Sequence, residues 1–79
     1  MKVKVLYFAQ VAEKVGISAE EVEITEGANS DDLLQLLAQK YPVIEGLTFN
    51  LAVNQSLIRD SVPLSNNVEV ALLPPFAGG

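Results

Sequence analysis

The run Val68-Glu69-Val70-Ala71-Leu72-Leu73, stopped by Pro74-Pro75, constrains this chain more than any other stretch. Residues so largely β-branched or aliphatic suit a strand buried within a sheet. Pro74 has no N–H to give to a ladder and Pro75 restricts Pro74 to extended geometry, so the sheet has to stop there and a stiff segment begin. The chain therefore divides into a folded domain, residues 1–73, and an extended tail, residues 74–79, that reads Pro74-Pro75-Phe76-Ala77-Gly78-Gly79. Gly78 and Gly79 take every side chain away from the α-carboxylate, so a narrow slot in a partner could admit them and meet bare backbone. The alternative is an ordinary frayed end. With glycine at about 7% of residues, however, a Gly-Gly ending arises by chance in roughly one chain in two hundred. The tail reads as a device for presenting a carboxyl group.

The preceding residues supply the sheet and its cover. Lys2 to Ala9 alternates, with Val3, Val5 and Tyr7 on one side and Lys2, Lys4, Leu6 and Phe8 on the other, which predicts a first strand. Val11, Ala12 and Val15 have helical spacing within Gln10 to Val15, and Gly16 suits the cap of a short helical turn. Glu20 to Thr25 alternates again, Val22 and Ile24 inward and Glu21 and Glu23 outward, as a second strand antiparallel to the first. Asn29 or Ser30 can cap a helix whose first turn holds Asp31 and Asp32, where the helix dipole favours negative charge. Its core stripe is Leu33, Leu36, Leu37 and Tyr41, and Pro42 ends it.

Val43 to Thr48 is expected to be loop, Phe49 to Val53 a third strand, and Asn54-Gln55 a turn into a short strand at Leu57-Ile58. Asp60 to Asn67 is a last loop, whose Asn66-Asn67 tolerates left-handed backbone. The order predicts an α+β domain of the β-grasp, ubiquitin-like kind: a mixed sheet of four to five strands covered on one face by one main helix. The first and last strands, being the most apolar, are expected to lie parallel at its centre.

Strand parity then singles out a surface. If Val3, Val5 and Tyr7 face the helix, Leu6 and Phe8 face the side that no second helix covers. The last strand repeats this, with Val68, Val70 and Leu72 inward and Leu73 outward beside Phe8. Phe8, Leu57 and Leu73 are thus expected to form an apolar docking patch just before the tail, with Arg59 at its rim. Isolated exposed apolar residues are ordinary, so contiguity is what decides.

Composition removes most other chemistry. The 79 residues include no cysteine and no histidine, which excludes disulfides, a thiolate zinc site, a cysteine nucleophile and a histidine base; no metal site and no bound cofactor are expected. Ten acidic residues against five basic give a net charge of −5, which disfavours nucleic acid and suits a partner with a basic face. Six of the acids lie between Glu20 and Asp32, where they read first as a solvated sheet edge and second as a docking surface. No run is long enough for a membrane span and none reads as an export signal, so a cytoplasmic protein is expected.

The stretches Lys4-Val5-Leu6-Tyr7-Phe8-Ala9-Gln10, Ala52-Val53-Asn54-Gln55, Pro63-Leu64, Val68-Glu69-Val70-Ala71, and Pro74-Pro75 ahead of Gly78-Gly79 together resemble the small, sulfur carrier subunit of molybdopterin synthase. The resemblance runs the length of the chain, and its most specific part is the Pro-Pro-x-x-Gly-Gly ending. Asn66-Asn67 stands where similar proteins have Gly-Asp, which touches turn geometry only. The resemblance implies a C-terminal Gly79 that an E1-like enzyme adenylates with ATP and that a sulfur relay converts to a thiocarboxylate, a 1-thioglycine, with Gly78 beside it. It also implies a large subunit that supplies the catalytic side chains and binds the tail, Pro74, Pro75, Phe76 and Ala77 included, in a heterotetramer of two small and two large subunits; the patch that parity gives, Phe8, Leu57 and Leu73, would dock on that subunit. Sulfur would pass to cyclic pyranopterin monophosphate to form the dithiolene of molybdenum cofactor. Carriers for thiamin or tRNA thiolation, ubiquitin-like modifiers and a plain binding module share the fold and remain as alternatives.

Overall fold

Alternation near the start of the chain becomes strand β1 (Lys2–Tyr7) in a computed structural model that describes residues 1–75. Phe76, Ala77, Gly78 and Gly79 lie outside the described residues. The remaining elements are α1 (Ala9–Val15), β2 (Ala19–Glu23), α2 (Ser30–Lys40), a 3-10 helix (Pro42–Gly46), β3 (Asn50–Val53), β4 (Ser56–Ile58) and β5 (Val68–Leu73). The strands form one mixed sheet in the order β2-β1-β5-β3-β4. The β1–β5 pair is parallel, Val3 opposite Val68 and Tyr7 opposite Leu72, and the other pairs are antiparallel. This is the expected α+β, β-grasp architecture, with the chain's first and last strands paired in its interior.

Parity builds the core. Val3, Val5, Val70 and Leu72 are fully buried, as are Leu33 and Leu37 of α2, and Val11 of α1 joins them on the same face. Burying one such aliphatic side chain stabilises by about 1.5–3 kcal/mol. Leu36 and Tyr41, expected in the same stripe, are half-buried at its margin. Helix α2 starts with a reciprocal cap: Asp32 N–H donates to Asn29 Oδ1 and Asn29 N–H to Asp32 Oδ2, both at 2.9 Å. Its first turn is strapped to the last loop by Ser30 N–H donating to Val62 O at 2.9 Å and Val62 N–H to Ser30 Oγ at 3.0 Å. Those bonds satisfy Ser30, the one buried polar residue among the described residues.

Two of the turns that use left-handed backbone flank β3, which meets β5, or β5 itself. Asn54 (φ 48°) and Gln55 (φ 71°) make the two-residue hairpin between β3 and β4, and Asn67 (φ 67°) turns the chain into β5, as its asparagine allows. Asn54 also reaches β5, its Oδ1 accepting from Glu69 N–H at 3.0 Å.

Several expectations shift at their edges. β1 stops at Tyr7, β2 runs from Ala19 to Glu23, and β3 begins at Asn50. The stretch expected to be loop after Pro42 contains the 3-10 helix, because proline's fixed φ suits a first helical position and Ile44 turns into the core at 3% exposure. Among the described residues no helix is long and apolar enough to cross a membrane.

The larger correction concerns Glu20, taken above as part of a solvated acidic edge. It is paired opposite Val5, on the covered face. Its carboxylate accepts from the Tyr7 hydroxyl at 2.6 Å, the Tyr41 hydroxyl at 2.9 Å and Lys40 Nζ at 2.5 Å. Glu20 thereby ties β2 to the end of α2. Burial works against its ionisation, but the bonds from Lys40, Tyr7 and Tyr41 outweigh burial and hold the carboxyl below its ordinary value. Burial first, and then Glu20 itself, pushes the Tyr7 hydroxyl up, so it stays a donor.

A group whose pKa is depressed by folding contributes stability above its unfolded pKa and loses it as pH falls through the folded one. Glu20→Gln is therefore expected to cost about 1–3 kcal/mol at pH 7. The gap to the parent protein should narrow on the acid side of 4.5, the carboxyl's ordinary value. Urea unfolding at pH 7 and in the acid range checks this; a gap of constant size would show that the charge of Glu20 contributes nothing.

Candidate functional site

The face of the sheet opposite the helices carries side chains of the other parity. Across its middle, Leu6 lies opposite Ala71, Ala71 opposite Ala52, and Ala52 opposite Leu57. Two alanines side by side on central strands leave a hollow, and the larger residues around them wall it. The result is an open depression of about 430 Å3 with Ala52 and Ala71 as floor and Leu6, Phe8, Leu57 and Leu73 as walls. Gln55 and Glu69 form its polar rim.

Phe8 is held there by backbone geometry. Its φ of −125° and ψ of 152° continue the line of β1, and its N–H donates to Leu72 O at 3.2 Å. It stands one step beyond the Tyr7–Leu72 pair and so beside Leu73. Ala9, at φ 49°, then turns the chain sharply into α1. Phe8 is left 42% exposed and Leu57 59%, the two most prominent apolar side chains on this face.

The structure thus brings Phe8, Leu57 and Leu73 together as the sequence predicted. Pro74 follows half-buried and Pro75 exposed, so the chain leaves β5 directly from the wall of the depression. Phe76, Ala77, Gly78 and Gly79, the remaining tail residues, lie outside the described residues. Arg59, expected at the rim, lines instead a separate depression with Asp31, Phe49 and Asp60 beside the start of α2, because the chain bends away immediately after β4 ends at Ile58. Ala52 was missed by sequence reasoning; its signal was parity, since it stands opposite Ala71 once β3 pairs with β5.

Charge on this face follows rows across the strands. Glu21, Lys4 and Glu69 form one such row on β2, β1 and β5, an alternation of sign that favours each neighbouring pair. Tyr7, Glu20, Lys40 and Tyr41, whose proton affinity the fold displaces, belong to the cluster on the other face. What the depression offers is an apolar seat with a few hydrogen-bonding groups at its margin, which is the composition of a docking surface.

Residues 5–79 match the ThiS family. Over its full length the chain is 36% identical to the molybdopterin synthase sulfur carrier subunit of Chlamydomonas reinhardtii, with 100% of both chains covered. Its fold matches a chain from the complex of subunits 1 and 2 of the molybdopterin-converting factor of Helicobacter pylori, with a TM-score of 0.72 and 26% identity over 100% of each chain. It also matches the small archaeal modifier protein 1 of Methanosarcina acetivorans, with a TM-score of 0.82 and 26% identity over 99% of this chain and 96% of that one. The chain belongs to the ThiS family, and within it is a full-length homologue of the molybdopterin synthase sulfur carrier subunits.

Proposed function

We propose that the protein is the sulfur carrier small subunit of a molybdopterin synthase and that Gly79 carries the sulfur. The observation that carries this reading is the full-length match to sulfur carrier subunits; the apolar seat from whose wall Pro74 and Pro75 depart supports it. The α-carboxyl group, with an ordinary pKa of about 3.3–3.7, is ionised at pH 7 and a poor electrophile. An E1-like enzyme first joins a carboxylate oxygen to the α-phosphorus of ATP and releases pyrophosphate. Sulfide attacks the acyl carbon and AMP leaves, giving the thiocarboxylate directly; where a relay protein delivers the sulfur as a persulfide, AMP leaves to give an acyl disulfide, which a second thiol reduces to the thiocarboxylate as it forms a disulfide with the relay cysteine.

The large subunit binds the charged tail together with cyclic pyranopterin monophosphate and supplies the side chains for transfer. The thiocarboxylate sulfur bonds to a side-chain carbon of the pyranopterin as an oxygen substituent leaves that carbon, water then cleaves the acyl carbon–sulfur bond and restores the carboxylate, and two small subunits in a heterotetramer give one sulfur each. Phe8, Leu57 and Leu73 seat the carrier on the large subunit, and Pro74, Pro75, Phe76 and Ala77 are bound by that subunit on the way to its site. Gly78 keeps the approach to Gly79 narrow. The carrier itself needs no nucleophile or base for this chemistry.

Incubated with its adenylating enzyme, ATP and sulfide, the protein is expected to gain the mass difference between sulfur and oxygen, and fragment ions should place that gain at Gly79. A protein modifier would give larger conjugates through lysine isopeptide bonds. A protein that gains neither is a plain binding module, and the reading fails.

A further inference from the structure

A second surface runs along the β2 edge of the sheet, where β2 has β1 as its sole neighbour among the described residues. At one end of the β1–β2 ladder Ile24 N–H donates to Met1 O, and at the other Tyr7 N–H donates to Ser18 O. Bonded and non-bonded pairs alternate in antiparallel strands, so Lys2–Glu23, Lys4–Glu21 and Leu6–Ala19 are the non-bonded ones. The backbone N–H and C=O groups of Ala19, Glu21 and Glu23 therefore point away from the sheet. Among the described residues they have no hydrogen-bond partner.

Beside this edge, between β2 and α2, lies a groove made of two depressions of about 450 and 380 Å3 that meet at Leu36. Val22, Ile24 and Leu36 give it an apolar floor. On the open face of the sheet Glu21 and Glu23 are exposed, and among the described residues neither is in an ion pair. Lys40, the cation at one end of the groove, is taken up by Glu20.

We propose that the β2 edge accepts an extended segment of a partner protein as a sixth strand, one that alternates basic with aliphatic residues. Successive side chains of an added strand fall on opposite faces. Those on the open face stand beside Glu21 and Glu23, where a lysine or arginine continues the row in which the sign already alternates from Glu69 through Lys4 to Glu21. Those on the other face lie over Leu36. A second copy of this chain is a poor occupant, because edge-to-edge pairing sets the same glutamates against each other. The opposite edge, β4, is three residues long and offers little to pair with. The Phe8 depression is centred on β5 and β3, so both surfaces can be occupied together, and this proposal stands independently of the sulfur chemistry.

The test is an NMR titration of the full chain with a nine-residue peptide of alternating lysine and valine. Bound as a strand, it should slow amide hydrogen exchange at Ala19, Glu21 and Glu23 about tenfold at nine-tenths occupancy, with shift changes confined to β2 and the Leu36 side of α2. Replacing a central lysine of the peptide with proline removes a ladder donor if the peptide runs antiparallel to β2, and replacing the valine beside it does so if it runs parallel, so one of the two proline peptides should lose the protection. The double variant Glu21→Gln with Glu23→Gln, which changes exposed groups and keeps the fold, should weaken binding about five- to tenfold. The proposal is overturned if no shift develops at several millimolar peptide, if both proline peptides bind as well as the parent peptide, or if protection falls elsewhere on the sheet.

Discussion

Deleting Gly79, adding one residue after it, or replacing Gly78 with valine should each lower sulfur transfer at least a hundredfold while leaving the unfolding curve unchanged. The first two move the reacting carbonyl along the tail by one residue, about 3.3–3.6 Å. A misplacement of even about 1 Å from a productive geometry can cost a hundredfold in rate. The third keeps the length and widens the approach with a β-branched side chain, so it separates reach from width. None of the three touches the sheet, which ends at Leu73. Single-turnover formation of the dithiolene, with circular dichroism as the control for folding, gives the measurement. An extended protein, shown by mass to stay unprocessed, that still supports cofactor synthesis would falsify the assignment of Gly79.

The second large effect is on assembly. Phe8→Glu, Leu57→Glu or Leu73→Glu should weaken binding to the large subunit by about 2 kcal/mol or more, roughly thirtyfold, wherever the residue is a hot spot. A carboxylate in the depression has to be desolvated on docking and finds Glu69 already at the rim. Phe8 and Leu57 are exposed at 42% and 59%, so their substitution should barely change thermal stability. Leu73 is half-buried and is expected to lose somewhat more. Titration calorimetry against the isolated large subunit separates the outcomes. Variants that bind normally would remove the depression from the interface, and variants that unfold would return Phe8 to the core.

The depression was legible because it depends on parity alone: once Val3, Val5 and Tyr7 are assigned to the helix side, Leu6 and Phe8 have no other place to go. The same rule was available for Glu20. It shares parity with Val22 and Ile24, so an alternating strand had to turn it inward, and only its charge argued for solvent. What resolved the conflict was a pair of tyrosine hydroxyls and Lys40, brought from β1 and the end of α2 by tertiary packing that local pattern does not contain. Arg59 failed for a related reason. Its distance from Leu57 along the chain is two residues, but the strand ends between them, and beyond a strand end parity no longer says where a side chain faces.

The pairing of β1 with β5 has a consequence for how the molecule is made. β5 is the strand on which both β1 and β3 register, and of the five described strands it is synthesised after the other four. Until Val68 to Leu73 has emerged, β1 and β2 lack the neighbour that joins them to β3 and β4, and their apolar faces have no completed core to enter. Such dependence on contacts between distant parts of the sequence delays folding until late in synthesis. A chain that stalls before β5 stays an open substrate for proteolysis, so a ribosome product acquires a protease-resistant fold only when the residues leading into Pro74-Pro75 are already present. The topology acts as a completeness check on the carrier.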